Sequence, residues 1–151
     1  LRRLPSSTLG SMVADLPEDD RQFILALGQG APGIVRRLLD DPDVLRTERI
    51  LQGKATAFWR ETSLQARLQH LTPLLKRGEE ADEFLLHLAL ALRQRSIPNA
   101  SFASALTELT RGFSTNTPRQ ILIQRFALAL AEEKPIGSLS KERSAATLSA
   151  R

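Results

Sequence analysis

The stretch ALGQGAPGIVRRLL, residues 26–39, places Gly28, Gly30 and Pro32 between two apolar segments. It is either a phosphate-binding loop or a corner between two helices. A Walker A loop follows a strand and ends in Gly-Lys-Ser/Thr, and no glycine here is followed by that pair. The same residues are typical of a helix corner. There, a glycine in the left-handed conformation ends one helix and a proline begins the next. The sequence therefore predicts a helix corner.

Sequence signals of helices also lie on both sides of this corner. Leu9, Met12, Val13 and Leu16 recur with the spacing of one helix face. Pro17 is expected at the first position of the second helix, and Pro42 starts a long fourth helix that reaches Arg60. No long stretch alternates with a period of two. The sequence thus predicts an all-α fold of about eight helices.

The remaining helices are predicted from the same signals. Pro73 should kink or split the fifth helix, because it removes a backbone donor. Four leucines of that segment are expected to face inward, at positions Leu64, Leu68, Leu71 and Leu75. Later helices are expected over 79–95, 99–111 and 118–133. Together they indicate a three-helix domain at 1–42, a helical bundle at 43–135 and a polar, disordered tail at 136–151.

Composition excludes some chemistry and leaves one alternative open. The chain has no cysteine, which excludes disulfides and thiolate sites and fits a reducing compartment. No apolar run approaches the roughly 20 residues of a membrane span. The net charge is +4, from arginines that are scattered along the chain. Scattered arginines are typical of solvated helix faces, whereas a nucleic-acid surface would gather them on one face.

No pattern of catalytic residues stands out. His70 and His87 are the only histidines, and their separation does not favour a metal site. His87 lies between leucines and is expected at the edge of a core. The acidic residues that begin at Glu79 match the positive end of a helix dipole better than a catalytic pair. The sequence predicts no metal ion, no cofactor and no active site.

The corner also carries a family resemblance. Leu25 to Gly33 and the apolar helix that ends at Leu38-Leu39 resemble the lid of bacterial DNA polymerase III clamp-loader subunits, with its pattern LA-x-G-S-P-G. The start, LRRLPSSTLGSMVADL, looks like the passage from the AAA+ core into the lid. The segment LTRGFSTNTPRQILIQRFALAL is similar to the last collar helix, in which an Asn-x-x-Pro-like turn precedes a leucine-rich helix. Gly30-Ala31 departs from the commoner Gly-Ser.

The resemblance implies a lid followed by a collar, preceded in a longer protein by an AAA+ core. ATP-hydrolysing members carry an arginine just after the lid glycine, in a G-S-x-R arrangement, and Gly33 stands at that position here. This implies the non-hydrolysing delta-prime type over the gamma/tau type. The chain itself is then expected to be non-catalytic and to bind no ATP.

The resemblance further implies a cytoplasmic replication protein. Its partners would be the gamma/tau and delta subunits, bound through the collar, with DNA contacted only indirectly and no membrane. The last helix has apolar residues on more than one face, so it is either central in its own bundle or shared with another chain. We expect sharing, with Ile123 or Leu130 partly exposed. The candidate partner surface is Ile123, Phe126, Leu128 and Leu130. A basic nucleic-acid-binding module remains the alternative from another class.

Overall fold

The computed structural model describes residues 6–95 and 99–132. Over these residues the chain is all-helical, as predicted, and forms no strand. A short 3-10 turn at Thr72–Leu75 accompanies eight α-helices. They are α1 (Ser6–Met12), α2 (Glu18–Gly28), α3 (Pro32–Asp40), α4 (Pro42–Arg60), α5 (Leu64–His70), α6 (Glu79–Arg93), α7 (Ala100–Gly112) and α8 (Arg119–Glu132). The predicted tail at 136–151 lies outside the described residues.

Local side-chain bonds explain where several helices begin. The Asp41 carboxylate accepts hydrogen bonds from the amides of Asp43 and Val44, 3.0 and 3.2 Å away, at the start of α4. Ser63 caps α5 and Asn99 caps α7 in the same way. These bonds satisfy amides that have no partner within the helix. Because such signals are local, the sequence located these helix starts closely.

The predicted corner between α2 and α3 is present, with one difference. Gly28 is the last helical residue and is buried, so it is not a glycine in the left-handed conformation. Gln29 takes that conformation instead, with φ of 43°, and Gly30 follows with φ of 87°. Pro32 opens α3 as expected. Pro17 lies one residue before α2 and caps it rather than starting it.

Pro73 splits the fifth helical segment. Helix α5 ends at His70, and the 3-10 turn takes up the chain from Thr72. A 3-10 turn has three residues per turn instead of 3.6, so it shifts the faces of the residues that follow. Leu71 and Leu74 are buried, whereas Leu75 is 47% exposed. The prediction that Leu75 faces inward is wrong for this reason.

The chain divides into two compact units. Of the described residues, the first contains 6–60 and 82–95, and the second contains 61–81 and 99–132. The division does not coincide with the boundary predicted at residue 42. Helix α4 and most of α6 belong to the same unit as the first three helices.

The core of the first unit explains this grouping. Helices α2 and α3 pack on each other, α1 packs on both, and α4 packs on α3. Leu90 of α6 is buried in the same cluster, and Val44 and Leu45 of α4 pack against it. The buried side chains of this cluster are Leu9, Val13, Phe23, Ile24, Leu27, Val35, Leu38 and Leu90. Three helices alone do not enclose this core.

The second unit is built around α8. This helix packs against α7, α5 and the 3-10 turn. The buried apolar side chains of the second unit are Leu71, Leu74, Ala81, Leu106, Leu109, Ile123, Phe126, Ala127 and Leu130. Arg119 fastens the start of α8 to the 3-10 turn, since its guanidinium donates to the carbonyls of Leu74 and Lys76, 3.1 and 2.7 Å away. The guanidinium also lies 4.4 Å from the Phe113 ring centroid.

Candidate interaction surface and helix corner

Helix α8 carries the candidate partner surface, and most of that surface is buried. Ile123, Phe126 and Leu130 are only 3%, 4% and 3% exposed. The prediction that Ile123 or Leu130 would be partly exposed is therefore wrong. The physical reason is that α8 is covered by α7, α5 and the 3-10 turn within its own chain. Of the four candidate residues, Leu128 remains accessible.

Leu128 has a second exposed apolar residue on its side of the helix. Leu128 and Ile121 are each 47% exposed. They are seven residues apart, which is close to two full helical turns, so they share a face. Gln124 and Arg125 lie between them and are exposed. Sequence reasoning left Ile121 out of the candidate surface, although its seven-residue spacing from Leu128 was a signal for it.

A groove of about 400 Å³ lies between α7 and α8. Each helix contributes three residues with the spacing i, i+4, i+7, which places them on one face. These are Ala105, Leu109 and Gly112 from α7, and Leu122, Phe126 and Ala129 from α8. Charged and hydroxyl side chains complete the lining, namely Glu108, Arg111, Thr115, Thr117 and Arg125. The groove thus combines an apolar floor with polar edges.

The helix corner in the first unit is closely packed on one side and open on the other. A Cβ atom added to Gly28 would lie 2.5 Å from Cγ2 of Val35, which is closer than packed side chains approach. A Cβ added to Gly33 would meet no atom within 4 Å. Gly33 is exposed in the first turn of α3. Packing therefore disfavours a Cβ at position 28 and leaves room for a Cβ at position 33.

No protein-family model, curated protein sequence or solved structure matches this chain. None of the described helices has both the length and the apolar character needed to cross a bilayer.

His87 is the centre of a polar cluster in the first unit. Its side chain is fully buried on α6. Its Nε2 lies 2.6 Å from a carboxylate oxygen of Glu48, and its Nδ1 lies 2.8 Å from the amide oxygen of Gln52. The amide nitrogen of Gln52 donates to Gln94 over 3.1 Å. The cluster links α4 to α6 and gives both ring nitrogens a partner. His87 is thus fully buried, deeper than the core edge that its leucine neighbours predicted.

A metal site is not formed by the residues that the structure describes. No group of three histidine or acidic side chains in residues 6–95 and 99–132 could hold an ion. The Glu48 carboxylate is largely covered, with a side-chain exposure of 19%. The pair of Glu48 and His87 is therefore largely covered by the protein.

Many of the scattered arginines have partners within the chain. Arg49 pairs with Asp20 and lies 4.6 Å from the Phe23 ring centroid. Arg67 is 8% exposed and donates from Nε to the Glu61 carbonyl over 2.9 Å. Arg21, Arg36 and Arg46 form ion pairs with acidic residues of their own helices. These contacts give five of the arginines partners within the chain.

Proposed function

We propose that this chain is the lid and collar part of a delta-prime-like clamp-loader subunit. In this role it assembles with gamma/tau and delta subunits into the loader that places a sliding clamp on DNA. The chain contributes no catalysis, and its partner subunits hydrolyse ATP. The observation that carries the proposal is the corner from Leu25 to Gly33, where a family-like sequence coincides with a well-defined junction of two helices.

Gly33 supports the delta-prime type over the gamma/tau type. In ATP-hydrolysing relatives the lid arginine at this position reaches the nucleotide phosphates. Here the position is exposed and spacious, so the glycine is not required by packing. A glycine supplies no charge to a phosphate. An open position without the arginine is what a non-hydrolysing lid would have.

The arginines weigh against the nucleic-acid alternative. A protein that binds DNA through phosphates needs several free cationic groups on a common surface. Arg21, Arg36, Arg46, Arg49 and Arg67 have partners inside the chain. Four of these five are paired with carboxylates, so their charges are balanced locally. An assembly role needs no such surface.

Reconstitution tests the proposal directly. The 151-residue chain is mixed with purified gamma/tau and delta clamp-loader subunits and separated by size-exclusion chromatography with light scattering. We expect the chain to co-elute with gamma/tau in a complex of defined mass. Failure to associate with either subunit at concentrations on the order of 10 µM would refute the proposal.

Nucleotide binding provides a second, independent measurement. Calorimetry of the chain with ATP and Mg²⁺ should give no binding heat, because the lid lacks the arginine. The Gly33→Arg variant should fold equally well, since position 33 is exposed and an added Cβ meets no atom within 4 Å. Micromolar ATP binding by the unaltered chain would contradict the delta-prime assignment.

A further inference from the structure

We propose that the groove between α7 and α8 binds an amphipathic helix of a partner protein, one that carries carboxylates beside its apolar face. The inference depends on the geometry of these two helices and goes beyond the clamp-loader assignment. It would hold for a chain that assembles with other partners.

The shape of the groove fits a helix. The connection at 113–118 is short, and short helix connections join antiparallel neighbours. Each helix presents a triplet spaced i, i+4, i+7, so the lined face is about 10 Å long, or two helical turns. Ala105, Gly112 and Ala129 are small, while the larger Leu109 and Phe126 are buried at 3% and 4%. A third helix can therefore place side chains between the two ridges.

The charges at the groove specify the partner further. Arg111 and Arg125 are exposed at its edges. Within the described part of the chain, neither guanidinium forms an ion pair or a side-chain hydrogen bond. They contrast with Arg49 and Arg67, which have internal partners. Against these two positive groups the groove supplies one carboxylate, that of Glu108. The excess positive charge complements carboxylates, which guanidinium groups bind in bidentate geometry.

The floor distinguishes a protein helix from nucleic acid. A phosphate backbone would pair with the two arginines but would leave the accessible apolar surface of Ala105, Leu122 and Ala129 facing water. An amphipathic helix with acidic flanks satisfies both the floor and the edges at once, which is the helix-in-groove mode of recognition. Arginine is also enriched where partner helices and proteins bind.

The test uses the full chain and two synthetic helical peptides labelled for fluorescence anisotropy. The first peptide has leucines at i, i+4 and i+7 with glutamates at the flanking positions. The second has lysine in place of each glutamate. We expect the acidic peptide to bind in the micromolar range and the basic peptide at least about tenfold more weakly. Amide exchange should slow in α7 and α8 when the acidic peptide is bound.

Charge reversal supplies the matched variants. The double variant Arg111→Glu/Arg125→Glu should bind the basic peptide better than the acidic one. Arg37→Glu, an exposed arginine on α3, reverses a charge in the other unit and should leave the preference unchanged. Ala129→Trp fills the groove without altering its charge and should weaken both peptides by about tenfold or more. Circular dichroism and thermal unfolding establish that each variant is folded.

Three results would overturn the inference. The two peptides could bind the unaltered chain equally well, the double variant could keep its preference for the acidic peptide, or a short DNA duplex could displace the acidic peptide from the groove. None of these readouts involves a clamp-loader subunit. Their failure is therefore distinguishable from failure of the reconstitution experiment.

Discussion

Gly28 matters for what it lacks rather than for its backbone freedom. It is helical and buried, and the position of a missing Cβ lies 2.5 Å from Cγ2 of Val35. Val35 is fully buried and β-branched, so its side chain has little freedom to rotate away. The absence of one methyl group thus allows α2 and α3 to approach each other at the corner.

Gly28→Ala should destabilise the protein. Alanine normally favours a helix over glycine by roughly 0.5–1 kcal/mol. Here the overlap with Val35 should outweigh that gain and leave a net loss of about 1–3 kcal/mol. Urea unfolding measures the difference, with Gly33→Ala as the matched control, because its Cβ enters open space. An unfolding midpoint for Gly28→Ala at or above that of the unaltered chain would contradict the packing argument.

Glu61 shows how a partly exposed side chain gains a specific role. Its carboxylate accepts hydrogen bonds from the amides of Ser63 and Thr62, 3.0 and 2.9 Å away, just before α5. Both hydrogen bonds lower the pKa of Glu61, and the one from the Ser63 amide contributes more than the one from Thr62. These bonds favour the charged form in the folded chain.

The pH dependence follows from the direction of this shift. A carboxyl group whose pKa is lower in the folded state stabilises the fold above its unfolded pKa and loses that effect as the pH falls through its folded pKa. NMR titration should find the Glu61 pKa below the ordinary glutamate range. The unaltered chain should exceed Glu61→Gln in stability at neutral pH, and the difference should shrink in acid. An ordinary Glu61 pKa, or a difference independent of pH, would count against the described bonds.

At the scale of elements, α4 contains a glycine that lowers its stability and that packing does not require. Gly53 lies in the interior of this 19-residue helix, is exposed, and has no atom within 4 Å of an added Cβ. Gly53→Ala should stabilise the protein by about 0.5–1 kcal/mol. Thermal and urea unfolding would detect the gain. The comparison variant is Gly112→Ala, whose Cβ would lie 2.7 Å from Cδ2 of Leu122; it should gain less or lose stability.

The helices were predictable from sequence to the extent that their signals are local. Ser63 and Asn99 cap helices through bonds within a few residues, and Pro73 removes a donor at its own position. Burial is different, because it depends on neighbours that periodicity does not identify. Leu75 is exposed after a change of helical pitch, and Ile123 is buried by elements distant in sequence. The local sequence thus predicts where helices begin, but it does not predict which of their faces are buried.

At the scale of the molecule, α8 separates residues that hold the fold from those available to partners. Leu128→Asp replaces a side chain that is 47% exposed, so stability should change by about 0.5 kcal/mol or less. If the proposed collar function is correct, this variant should weaken co-elution with gamma/tau while circular dichroism stays unchanged.

Ile123→Asp provides the internal comparison for Leu128→Asp. Ile123 is 3% exposed, and burying a carboxylate without a partner should cost about 3 kcal/mol or more. This variant should lose helicity as well as assembly. Normal assembly by Leu128→Asp would show that the partner surface lies away from the Ile121 and Leu128 face.

The grouping of helices into units could not be predicted from sequence. The apolar faces of α1 to α3 predict a core, but the sequence does not show whether these three helices are enough to bury it. The structure places Leu90 of α6 in that core, far along the chain from Leu9. The candidate surface had the same difficulty, since the apolar residues of α8 were equally consistent with a central helix and a shared one.

The position of Leu90 has a consequence for the order in which the chain is made. Synthesis releases the N-terminal helices first, and their apolar faces then await a side chain that emerges some fifty residues after α3 has ended. During translation the core of the first unit therefore stays incomplete until α6 leaves the ribosome. A nascent chain halted before α6 should be digested rapidly by protease, whereas one halted after it should resist.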